Sequence, residues 1–216
     1  MNNKFLILFL SFFIFLCIQI HPQRSKLYKA VESTSNYIVS NIKFTLKDKS
    51  DLQQIDSIYL QQLNYQQKDF KEALLSLTFA LVLVRKVNIK FPIFGMINYP
   101  LVSVSDSLFE LKNKFTLKYI FFDTQLNEFG DKDKLSHFFG SAFISYSSNI
   151  FDFDDLIGYF IEVFEENFKV QSSIDKRDMV ANNLGKIFGE LLKKNKNILR
   201  SQILISNTLK YFNYNL

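Results

Sequence analysis

The chain has 216 residues, 48% of them hydrophobic and 22% charged, with 26 Lys+Arg against 21 Asp+Glu for a formal net charge of +5. That length can bury a proper core, and the apolar fraction excludes intrinsic disorder, collagen-like repeats and disulfide-rich scaffolds. Cys17 is the single cysteine, His21 and His137 are the two histidines, and the six glycines are scattered. The body therefore offers no disulfide, no Cys-ligated zinc, no Cys nucleophile and no glycine-rich phosphate loop.

Residues 1–4 carry one lysine, and 5–20 run FLILFLSFFIFLCIQI before the polar HPQRSK. This order fits a secretory signal or an uncleaved membrane anchor over 1–22, with a buried core helix as the alternative. The expected location is the cell envelope, with the membrane contacted through this segment. Cys17 follows Ile14, Phe15 and Leu16 rather than a small residue, which argues against lipid attachment. No A-x-A-like cleavage site stands out, which favours an anchor.

Residues 25–130 read as a mixed, mostly helical region. Within 30–50, alternations such as Tyr37-Ile38-Val39 and Ile42-Lys43-Phe44 suggest short strands. Residues 51–63 and 69–87 read as helices. The second holds Leu74, Leu75, Leu77, Phe79, Ala80, Leu81 and Leu83, closed by Arg85 and Lys86. It is too short to span a bilayer and reads as buried or interfacial. Pro92 and Pro100 mark 91–100 as a loop or irregular connection. Ser105 or Asp106 can open a helix over 108–119.

Residues 131–216 read as a second, helical region. Asp131 or Asp133 can open a helix to about Tyr146, Asp152 or Asp154 one to about Phe168, and Ser173 or Asp175 one to about Lys194. Lys186, Lys193, Lys194, Lys196 and Arg200 lie among Leu191, Leu192, Ile198 and Leu199, a solvated basic face or one that touches anionic headgroups. No nucleic-acid partner is expected, because no binding motif is present and the leader implies export. The fold class is mainly α: a compact helical domain behind an N-terminal signal or anchor helix.

Positions i, i+4 and i+7 share a helix face. Asp133, His137 and Gly140 therefore fall on one stripe, Gly158, Glu162 and Glu165 on a second, and Asp178, Asn182, Gly185 and Gly189 on a third. Glycines let a neighbouring backbone approach, which brings the polar groups a turn away into the same interior gap. Buried carboxylates must then be paired or hold a cation. The plain structural reading is a set of packing seams, with Asp133 and Asp178 as first-turn caps and Glu165 paired with Lys169 on the surface.

Asp133-Lys134-Leu135-Ser136-His137, GYFIEVFE over 158–165, and Asp178-Met179-Val180-Ala181-Asn182-Asn183-Leu184-Gly185 with Gly189 resemble three signatures. These are the D-K-x-x-H, E-x-x-[DQ] and D-x-x-x-N-x-x-G-x-x-x-G motifs shared by YfiM-like lipoproteins and VanZ-like membrane proteins. The resemblance covers 131–192. It implies that His137, Glu162, Asp178 and Asn182 occupy the families' polar positions, while Glu165 and Asp175 depart from the usual residues. A single apolar run brings the chain nearer to the YfiM-like group, whose biochemical role is not established.

Two classes of function follow as expectations. The first is an envelope protein whose polar cluster fixes helix register or binds a lipid headgroup or envelope glycan. The second is a hydrolase or transferase on a lipid-linked or cell-wall substrate, with His137 and Glu162 as an acid/base pair and Asp178 beside them. No cofactor is required. His137, Glu162 and Asp178 could ligate a divalent metal through mixed N/O donors, although no short His-x-x-x-His or Glu-x-x-His spacing supports it. A catalytic site needs an open cleft at His137; a structural network is sealed.

Overall fold

The structure, a computed structural model, describes residues 26–42, 48–91, 95–147 and 176–215. The fold is mainly α, with one small sheet among the described residues. Helix α1 covers 26–37 and runs on into a π-helical turn at Ile38–Ile42. The strands expected within 30–50 are therefore absent from its described part. Leu27, Ala30, Val31, Thr34 and Ile38 are all buried, and their three- and four-residue spacing is that of a helix face. The Tyr37-Ile38-Val39 alternation is a short apolar run within that longer helical period.

Helix α2, Asp51–Tyr65, starts with a capping box: the Ser50 hydroxyl accepts from the Gln53 N–H and the Gln53 side chain accepts from the Ser50 N–H. It ends in two residues with left-handed backbone, Gln67 and Lys68, at φ 52° and 67°. These turn the chain into α3, Phe70–Leu81, whose first turn is capped by Asp69. Every residue from Ala73 to Leu81 is buried, so the apolar block is a core helix. A fully buried polar chain ties the three helices: Thr34 Oγ1 donates to Gln62 Oε1 at 2.7 Å, and Gln62 Nε2 donates to Ser76 Oγ at 2.7 Å.

Helix α3 stops well before 87. Val82 is already extended, with ψ 134°, and β1, Lys86–Phe91, pairs antiparallel with β2, Gly95–Pro100. Residues 95–100 are thus a strand, not the irregular connection that the prolines suggested. Pro100 is the last residue of β2, opposite Lys86, where a missing N–H costs the ladder little. Helix α4, Asp106–Phe115, follows Ser105, and α5, Lys134–Ser147, follows a turn through 131–133. Helices α6, Lys176–Lys194, and α7, Arg200–Asn215, complete the described chain. The helix expected over 152–168 lies outside the described residues, as does the apolar run at 5–20. No helix among the described residues is long and apolar enough to cross a membrane.

One core joins the two halves of the chain. It centres on Tyr59, Phe139, Phe143 and Phe188, with Tyr59 stacked 6.4 Å from Phe139 and meeting Phe188 edge-on at 5.8 Å. Arg200 is fully buried there, its guanidinium 3.4 Å from the Tyr59 ring centroid and 3.0 Å from the Asp56 carboxylate. Arg200 is therefore a core ion pair rather than part of a basic surface. Burial lowers its pKa to about 10, with Asp56 acting against it, so it stays charged at neutral pH. Burial pushes the Tyr59 hydroxyl up to about 12.

The segment between α4 and α5 is held by two carboxylates. Asp51 Oδ2 accepts from the N–H groups of Lys118 at 3.0 Å and Tyr119 at 2.7 Å. Asp131 Oδ2 accepts from the next two, Ile120 at 3.2 Å and Phe121 at 3.0 Å. Four consecutive backbone donors are satisfied this way, with no strand to do it. Gly130 closes the loop at φ +53°, where an added Cβ would meet the Lys118 carbonyl oxygen at 2.5 Å. Arg177 of α6 bonds the buried Asp131 and donates to the Asp123 carbonyl at 2.9 Å. The Asp131 side chain thus clamps the loop instead of capping α5.

Candidate functional site

The site forms where α5 and α6 lie side by side. Gly185 faces Phe138 so closely that a Cβ would sit 2.1 Å from the Phe138 carbonyl oxygen, and one at Gly189 would sit 2.5 Å from that of Ala142. Side-chain contacts climb both helices together, from Lys134–Asp178 through Ser141–Asn182 to Ser145–Lys186. The two helices therefore run in the same direction, with glycines at the seam and polar groups on either side of it.

Lys134 Nζ, on the first turn of α5, donates to Asp178 Oδ1 at 2.6 Å and to Asp133 Oδ2 at 2.9 Å. His137, one turn on, places Nε2 3.6 Å from the same Asp178 oxygen, beyond hydrogen-bond reach. His137 is 5% exposed and Asp178 4%. Burial holds the His137 imidazole below its ordinary pKa, although Asp178, Asp133 and a hydrogen bond with Asn182 pull the other way. It is neutral at pH 7.

The structure brings Asp133, His137, Asp178 and Asn182 together, with the buried Gly140 on the same helix as His137 and with Gly185 and Gly189 at the seam. Gly158, Glu162 and Glu165 lie outside the described residues. Asp178 is not a solvated first-turn cap: its carboxylate points across the seam to Lys134. Lys134 went unassigned although it stands inside the D-K-x-x-H string. The requirement that buried carboxylates find a cation pointed to it, since it is the nearest one in the chain.

Among the described residues no group of three or more His, Cys, Asp or Glu side chains is arranged to hold a metal ion. The donor chemistry agrees. The Lys134 ammonium already occupies the space between the two carboxylates, so His137 and Asp178 do not fit a divalent cation while that lysine stays in place.

An open groove of about 410 Å³ lies beside the sealed cluster, lined by Ser141, Ile144, Ser145, Asn182, Asn183, Lys186 and Glu190. Ser141 Oγ donates to Asn182 Oδ1 at 3.1 Å, and Asn182 in turn hydrogen-bonds His137. Asn182 therefore joins groove and cluster. Ser145 Oγ donates to Glu190 Oε1 at 2.7 Å, and the hydrogen bonds from Ser145 and Lys193 hold the Glu190 carboxyl below its ordinary pKa. Sequence reasoning missed Ser141, Ser145 and Glu190, whose only signal is the four-residue step that continues the stripe from His137. No family model, curated protein or solved structure matches the chain.

Proposed function

We propose that this is a non-catalytic binding protein of the cell envelope, related to the YfiM-like group. In this reading the α5–α6 groove takes a hydroxyl-rich group, a glycan unit or a lipid headgroup, and the Lys134–Asp178–His137 network beneath it fixes helix register. One observation carries the reading: Asn182 links an open groove of serine and asparagine side chains to a cluster that is closed to solvent. Amides and hydroxyls both donate and accept, which suits sugar or glycerol hydroxyls, and Lys186 and Glu190 add one charge of each sign at the groove. An acid/base role needs His137 within reach of a substrate, and its burial and its neighbour Lys134 both oppose that.

Titration of the full chain with N-acetylglucosamine oligomers and with glycerol phosphate, followed by calorimetry, tests the reading. One of the two probes should bind, and Ser141→Ala with Asn183→Ala should weaken it with helicity unchanged. Equal binding by wild type and the double variant would remove the groove from consideration. Turnover of a lipid-linked or cell-wall substrate that His137→Ala abolishes would replace this reading by the hydrolase or transferase one.

A further inference from the structure

At the end of the molecule formed by residues 118–131 and the last turns of α7, large apolar side chains stand in solvent. Leu126 is 89% exposed and Phe129 75%, with Phe122 and Tyr119 beside them in the same segment. Helix α7 adds Ile205, Leu209 and Phe212, all exposed. Their four- and three-residue steps put them on one stripe, turned away from the buried face of Arg200, Ile203 and Leu204. Phe122 joins the two parts, with its ring 4.3 Å from that of Tyr211 and 5.5 Å from that of Phe212. Soluble proteins seldom leave so many large apolar side chains contiguous and exposed without a use for them.

The presentation is rigid where it matters. The Asp51 and Asp131 carboxylates pin the four amides from Lys118 to Phe121, Gly130 closes the other end of the loop, and the Asn127 carboxamide oxygen accepts from the N–H groups of Phe129 at 2.9 Å and Gly130 at 2.7 Å. Leu126 and Phe129 are therefore held out by a built turn. The rim is basic: Lys118 and Lys132 lie close enough for one charge to depress the other's pKa, and Lys210 lines the same hollow as Phe122 and Tyr211.

We propose that this end of the molecule docks on an anionic lipid surface, with Phe122, Leu126, Phe129, Leu209 and Phe212 entering the headgroup–acyl boundary and Lys118, Lys132 and Lys210 meeting acidic headgroups. A protruding tip of aliphatic and aromatic side chains ringed by lysines has the chemistry of an interfacial contact. A protein partner would need a hollow to receive the tip, and the tip itself is convex. This inference is independent of the groove proposed above, which lies on other faces of α5 and α6.

The apolar run at 5–20 can itself enter lipid, so bulk binding to vesicles does not report on the patch. The chain contains no tryptophan, so Phe129→Trp in the full-length protein gives a single position-specific reporter, and Leu60→Trp on the exposed side of α2 gives its control. With phosphatidylserine-containing vesicles the emission of the Phe129→Trp protein should shift to the blue and be quenched by brominated acyl chains. That of the Leu60→Trp protein should do neither. Lys132→Gln and Lys210→Gln should each weaken the response about fivefold. An unmoved emission from the Phe129→Trp protein while it cosediments with the vesicles overturns the proposal. So does a blue shift that needs no lipid and grows with protein concentration, which would make the patch a contact between copies of the chain.

Discussion

Two lysines are buried among the described residues, at equal depth and in opposite company. Lys134 is 6% exposed and sits between two carboxylates, Asp178 and Asp133. Lys112 is 1% exposed; it donates to the Val82 carbonyl oxygen at 2.6 Å, lies 4.6 Å from the Phe109 ring and feels Arg85 as its nearest charge. Burial, with Arg85 adding to it, lowers the Lys112 amine to a pKa of about 7. Depth alone thus does not decide whether a lysine is charged; the partner does. One lysine ties two helices by an ion pair, whereas the other is close to half neutral at physiological pH and is tolerated because a carbonyl and a ring meet it.

The strongest way to break the contrast is Asp178→Ala, which leaves Lys134 with Asp133 as the one described carboxylate partner. The expected loss is about 3–5 kcal/mol in denaturant unfolding, because a buried cation loses its closest compensation. A loss under about 1 kcal/mol would mean that water reaches the pair.

Lys112 gives the next effect, with the opposite dependence. Between pH 7 and 10.5 the unfolded chain binds more protons at this position than the folded one, so stability rises with pH. The slope approaches about 1.4 kcal/mol per pH unit, until Tyr59, pushed up to about 12, begins to act against it above pH 10. Lys112→Met should raise stability most at pH 7 and below and should flatten the slope. A variant with the wild-type slope would assign the titration to another group.

Gly185→Ala sharpens the comparison from the backbone side. Its Cβ would press on the Phe138 carbonyl oxygen, and that carbonyl cannot turn aside as a side chain would. The helices must separate, at about 1–3 kcal/mol, and the Lys134–Asp178 contact lengthens with them. In a double-mutant cycle with Asp178→Ala the two losses should add to less than their sum. Full additivity would mean that the seam and the ion pair are independent.

His137 carries the smallest effect, since Asp178 and Asp133 offset part of its burial. Its lowered pKa makes the unfolded chain the better proton acceptor below pH 6.5, so stability falls as pH drops below that value. His137→Gln should remove this acid limb. If the limb persists, carboxylates elsewhere account for it.

The helices that could be read in advance carry their own punctuation: Asp51 and Asp69 at helix starts, Ser105 before α4, and Lys193 and Lys194 at the end of α6. What was misread lacked such marks. Helix α1 hid a helical face under a local alternation, and β2 ended in a proline that an edge strand accepts. The stripes of His137 with Asp133 and of Asp178 with Asn182 and the glycines were legible because helix geometry gives them a fixed repeat. The identity of their partners was not.

Composition, caps and periodicity determined by themselves that this chain is mainly helical, which faces turn inward, and that its one deep histidine shares a face with acidic and small residues. These are signals over three or four residues, and hydrogen-bonded backbone geometry enforces them locally. Only the tertiary structure decided that Asp178 answers to Lys134 and not to a metal, that Asp51 and Asp131 complete a loop far from either helix start, that Arg200 is core, and that Lys112 has no acid. A buried charge chooses its partner from whatever packing delivers within about 4 Å, and helix periodicity gives the direction of a face without saying what lies opposite it.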